Sequence, residues 1–180
     1  MRFVTSTQRH RISDFFEHVR KTAEQAFEND GCCVPVAIFL QDEGKTVLPL
    51  HHLVKDKDLA SSVIKQAIEN LDPLAFVLVS EAWMARQNSK ATNTHDDNLG
   101  EKYQGQLTQN ISGGSEKPKR GVEEVVMLQG CSMTGENFLL TAEIIRDAGS
   151  KPTLKPWERL DNRSTEGRFI FDLTPLVERQ

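Results

Sequence analysis

From Ile12 onward the apolar positions Phe15, Phe16, Val19, Ala23, Ala26 and Phe27 recur at steps of three and four residues. That spacing lays one stripe along a helix. Ser13 is placed to cap its start, and Gly31, following Asn29-Asp30, to stop it. The period then shortens. Cys33 to Leu40 reads as a strand, Gln41-Asp42-Glu43-Gly44-Lys45 as a turn and Thr46 to His51 as the returning strand of a hairpin. Pro35 and Pro49 each remove a ladder donor, so at least one of these strands is expected at a sheet edge or its end.

Between Lys55 and Leu71 the residues Leu59, Val63, Ile64, Ala67, Ile68 and Leu71 form a second helical stripe. Asp56 and Asp58 stand in or near its first turn, where the helix dipole favours negative charge. Asp72-Pro73 ends that helix, and Ala75-Phe76-Val77-Leu78-Val79-Ser80-Glu81-Ala82-Trp83-Met84-Ala85-Arg86 follows. Its first part is apolar on both faces of a strand, which predicts a central position in the sheet.

From Gln87 to Gly121 apolar residues are too sparse to anchor the chain, so residues 87–120 are expected as one long, mobile, disordered-type loop. Strand character resumes at Val122 and runs to Cys131. After a turn around Thr134 to Asn137, Phe138 to Arg146 supplies the hairpin partner. Phe138, Leu140, Ala142 and Ile144 share one face of it, with Thr141 and Glu143 opposite, so the second face is expected to be wet. Leu154 to Trp157 and Arg168 to Leu173 read as short closing strands or an arm. The resulting fold class is α+β: a single domain over residues 1–180, with a mostly antiparallel sheet of five to six strands and two helices packed on one face.

Composition narrows the function classes. Lys and Arg number 22 against 26 Asp and Glu, a formal charge of -4, so there is no overall cationic field and nucleic acid is not the favoured partner. The amino terminus lacks the pattern of a secretory signal, and no segment approaches the roughly 18 apolar residues that cross a bilayer, so no membrane association and a cytoplasmic location are expected. Three cysteines, an odd number with two adjacent, argue against a disulfide framework.

Candidate chemistry is sparse. Cys32-Cys33 lacks the companion Cys-x-x-Cys of a zinc site, and a Cys131 nucleophile would need a histidine brought in from elsewhere in the fold. His51 and His52 are the first metal-site candidates, but neighbours on a strand point to opposite faces and do not grip one ion. His95-Asp96-Asp97 lies in the loop. No metal site and no cofactor is therefore assigned, since the His-Glu-x-x-His pattern is also missing. Glu81 is the best catalytic candidate: on a continuing strand it shares a face with Val77, Val79 and Trp83, and a carboxylate desolvated beside an indole has the raised pKa of a general acid or base. The competing reading pairs Glu81 with an arginine such as Arg86 or Arg146, or has it cap backbone donors at the strand end. Ser80, Trp83 and Arg86 flank it and are the expected binding residues.

The run Phe76 to Met84, with Val122-Glu123-Glu124-Val125-Val126-Met127-Leu128 later, resembles a scattered group of small bacterial and phage proteins. In that group a strand ending in Ser-Glu-Ala-Trp precedes a polar loop and a Glu-rich strand. The resemblance implies a recurring small domain; the group has no assigned activity and supplies no catalytic residues.

Three functional expectations follow. The first is a non-enzymatic binding or regulatory domain whose polar loop orders on a protein partner. The second is a small metal-dependent hydrolase or nuclease using Glu81 with His51 or His52. The third is a self-assembling structural protein, a homodimer included, in which an uncovered strand edge pairs with another copy.

Overall fold

A computed structural model describes residues 5–53, 56–85 and 122–160. Along these residues the elements are α1 (Ser6–Asp30), β1 (Val36–Gln41), β2 (Gly44–Pro49), α2 (Lys57–Leu71), β3 (Ala75–Ala85), β4 (Val122–Ser132), β5 (Asn137–Ile145), β6 (Thr153–Leu154) and β7 (Glu158–Leu160). The 87–120 segment and Arg168–Leu173 lie outside the described residues.

Helix α1 starts at a capping box rather than at Ser13. The Thr5 hydroxyl accepts the Gln8 N–H at 3.2 Å, while the Gln8 side chain accepts the Thr5 N–H at 3.0 Å. The early turns are mostly exposed, so hydrophobic periodicity carries no signal there and cap chemistry sets the start. The end is where the glycine places it: Gly31 is left-handed at φ 70° and its N–H returns to the Phe27 carbonyl at 2.7 Å. In α2 the Asp56 carboxylate caps the Leu59 N–H at 2.9 Å, and Asp72, left-handed at φ 43°, closes the helix before Pro73.

The strands form one antiparallel sheet in the order β2-β1-β3-β4-β5-β6, with β7 also pairing β5. β3 is central, as its two apolar faces require, and β2, which ends in Pro49, is at the edge. The α+β class and the antiparallel sheet hold. The placement of both helices on one face does not.

Val77 and Val79 of β3 pack into a cluster with Ile12, Phe15, Val19 and Phe27 of α1. Phe76 and Leu78 pack with Ile64 and Ile68 of α2. Adjacent strand residues face opposite ways, so the helices cover opposite faces of the sheet. The reason lies in β3 itself: a strand apolar on both sides needs cover on both sides, and one layer of helices would leave Phe76 and Leu78 in water. β5 departs from expectation in the same direction. Leu139 and Thr141, on the face expected to be wet, are both buried, as are Gln129 and Met127 beside them on β4.

Candidate functional site at the Glu81 corner

The β3–β4 register sets Glu81 opposite Val126 and Trp83 opposite Glu124. All four positions share the α1 side of the sheet, because directly opposed residues of antiparallel strands project to one face. At this end of the sheet β5 gives way to Arg146, and the link from α1 into β1 passes overhead through Gly31, Cys32 and Cys33. These pieces close on the Glu81 carboxylate.

The Cys33 N–H donates to Glu81 Oε1 at 2.6 Å, the short distance of a charge-assisted bond. Arg146 grips Glu124 with both arms, Nε to Oε2 at 2.7 Å and Nη2 to Oε1 at 2.9 Å. The same Nη2 stands 3.8 Å from Glu81 Oε2, and Nη1 donates to the Gly31 carbonyl at 3.4 Å. One guanidinium thus joins the ends of β3, β4 and β5 to the last turn of α1. The pairing with Arg146 and the capping of a backbone donor, posed as alternatives for Glu81, occur together.

Burial is the main influence on Glu81 and pushes its pKa above the ordinary glutamate value. The Cys33 N–H pulls the other way, the Glu124 charge pushes up again and Arg146 pulls down. A raised folded-state value means that ionised Glu81 costs stability at neutral pH, a cost relieved as pH falls through the folded pKa towards the unfolded one. Acidification from about pH 7 to about pH 5 is therefore expected to raise the melting temperature of the wild-type protein relative to Glu81→Gln. Differential scanning fluorimetry of the pair at both pH values measures this, and a constant difference contradicts it. Glu81→Leu removes the acceptor of the Cys33 N–H altogether and is expected to cost about 1–2 kcal/mol, read from urea unfolding.

The thiols do not build a nucleophile. Burial, then the Glu81 charge, then Cys32 push Cys33 up to about 12, and burial alone pushes Cys131 up to about 12. A reactive cysteine needs the opposite shift. Cys32 is exposed, and all three cysteines are free.

His51 and His52 are not on a strand. They occupy the exposed turn after β2, where their rings lie with centroids 3.7 Å apart instead of diverging to opposite faces. The turn, not the strand alternation, sets their geometry. β1 stands between β2 and β3, so two strand spacings, about 10 Å, separate β2, which leads into the histidine turn, from the strand of Glu81. Among the described residues the carboxylate's hydrogen-bond and ion-pair partners are Cys33 and Arg146, and no group of three His, Cys, Asp or Glu side chains is set to hold a metal ion.

Of the expected binding residues, Ser80 is buried on the α2 side opposite Met127, with no hydrogen-bond partner for its hydroxyl among the described residues, and Trp83 is half-buried on the α1 side. Arg86 lies outside the described residues. What sequence reading missed is the Cys33 N–H and Glu124. Glu124 had a signal, one of two adjacent acids at the start of a mostly apolar strand, but its pairing with Trp83 depends on a register that crosses the long 87–120 insertion. The Cys33 N–H, a backbone donor, has no signal in residue type at all.

The fold and site together define an α+β protein in which an antiparallel sheet lies between two helices and is tied at one corner by a carboxylate–guanidinium cluster. Comparison with protein-family models, curated protein sequences and solved structures finds no match for this chain. Among the described residues no helix is long and apolar enough to cross a membrane.

Proposed function

We propose that this chain is a non-enzymatic binding domain that takes a protein partner in a reducing, cytoplasmic compartment. The observation that carries the reading is the employment of Glu81. Its oxygens face the Cys33 N–H and the Arg146–Glu124 pair, so the acid best placed for catalysis works as a tie between sheet and helix. Free cysteines fit a reducing compartment. The polar 87–120 segment is the natural partner contact, since a stretch with so few apolar residues gains order most readily against another surface.

The test compares tagged full-length protein with a variant lacking residues 87–120, in pull-downs followed by reconstitution with the purified partner. The expected result is one stoichiometric protein partner whose binding the deletion abolishes without changing the melting temperature. Binding indifferent to the deletion overturns this reading. So does a hydrolytic activity that Glu81→Gln abolishes at unchanged melting temperature, which would install the metal-dependent hydrolase reading instead.

A further inference from the structure

The outer edge of β2 has no strand partner among the described residues, and the hairpin register determines which of its backbone groups face outward. Every β1–β2 pair sums to the same register, from Gln41↔Gly44 to Val36↔Pro49, and the Leu50 N–H continues it by donating to the Pro35 carbonyl at 2.9 Å. In an antiparallel ladder, residues alternate between turning both polar groups to the partner and turning both away. Leu50 points inward, so Gly44, Thr46 and Leu48 also point inward. Lys45, Val47 and Pro49 point out.

The outward set is complementary to itself. With a two-fold axis at Val47, the Val47 N–H and carbonyl of one copy meet the carbonyl and N–H of the other, and the Lys45 N–H of each copy meets the opposite Pro49 carbonyl. Pro49 has no N–H to offer, and at the end of the ladder this omits one bond from each half. The Val47 side chain, 58% exposed and left uncovered by α1, would lie directly against its counterpart. Lys45, the kind of residue that guards an open edge, is folded back with its Nζ 5.9 Å from the centroid of the Phe15 ring.

Charge follows from the direction of pairing. An antiparallel pair brings the turn before β2 of one copy, with Asp42 and Glu43, to the turn after β2 of the other, with His51 and His52. Asp42 is already engaged by Gln8 and Arg11, whereas the exposed Glu43 is the acid that meets the exposed imidazoles. The contact occurs twice across the axis. Acid against imidazole at both ends of the pair favours the antiparallel arrangement over a parallel one, which would set each turn against its own copy.

We propose that two copies of this chain associate through β2, antiparallel about Val47, extending the sheet across the dimer with the Glu43 turn of each copy beside the His51–His52 turn of the other. The proposal uses no residue of the Glu81 corner or of 87–120 and stands apart from the function proposed above.

Sedimentation equilibrium over a hundredfold range of concentration tests it. Wild-type protein is expected to rise from the 20.3 kDa of one chain towards twice that mass. Val47→Pro removes only an outward N–H, leaves the β1–β2 ladder intact and is expected to stay at the mass of one chain at every concentration. Val47→Lys, which alters only an exposed side chain, gives the same readout should the proline variant lose its fold. Glu43→Lys is expected to weaken association at least fivefold. A wild type that remains at the mass of one chain throughout overturns the proposal, as does association undiminished in Val47→Lys.

Discussion

Phe76→Ala is expected to destabilise the protein by about 3–5 kcal/mol, a large part of the roughly 5–15 kcal/mol that holds a domain of this kind together. Phe76 is fully buried in the middle of the central strand, paired on one side with Phe39 of β1 and on the other with Cys131 of β4. Its ring stacks on Phe39 with centroids 5.9 Å apart, and the Ile64 and Ile68 side of α2 packs in the same cluster. Neither neighbouring strand can close in on the vacancy, because each is held at ladder spacing by β3 itself. The lost volume therefore remains largely as a cavity, and the cost falls at the upper end of the range for such truncations. Urea unfolding measures it as a lowered midpoint at unchanged slope. A loss below about 1 kcal/mol would mean that α2 settles into the space, contrary to a helix fixed by its caps at Asp56 and Asp72.

That the ring of Phe76 faces one helix and Val77 the other was implicit in the sequence, since no residue from Ala75 to Val79 is polar. The expectation of helices on a single face ignored that implication. Periodicity located both helical stripes because burial writes itself into residue type. It missed the first turns of α1 because Ser6, Thr7, Arg9 and His10 are exposed and only the Thr5–Gln8 cap marks the start.

The Glu81 corner divides along the same line. The shared face of Val77, Val79, Glu81 and Trp83 is a local property of one strand and was readable. The closure of Cys33, Glu124 and Arg146 around the carboxylate brings together residues 48, 43 and 65 positions away from it, through pairings that no local pattern records. His51 and His52 show the converse: their separation follows from strand alternation only on a strand, and the chain turns there.

Gly130→Val is expected to cost about 3 kcal/mol, although valine is the better strand former of the two. Gly130 sits in β4 on the α1 side, opposite Val77 on β3 and Phe138 on β5. The Phe138 ring lies across the glycine, so that a Cβ built there would overlap its Cε1 and Cζ atoms. The demand is for space and not for an unusual backbone, because Gly130 is not among the positive-φ glycines. Phe138 cannot swing aside freely: its ring meets Phe16 of α1 edge to face, with centroids 4.6 Å apart. The added side chain must therefore push Phe138 into the helix or bend β4 away from its partners, and either route strains the seat of α1 on the sheet. A double-mutant cycle isolates this cause. Phe138→Leu clears the space above position 130, so the pair is expected to be less destabilised than the sum of the single variants by about 1–2 kcal/mol. Strict additivity would instead place the cost in the backbone of β4, and the ring would then be a bystander.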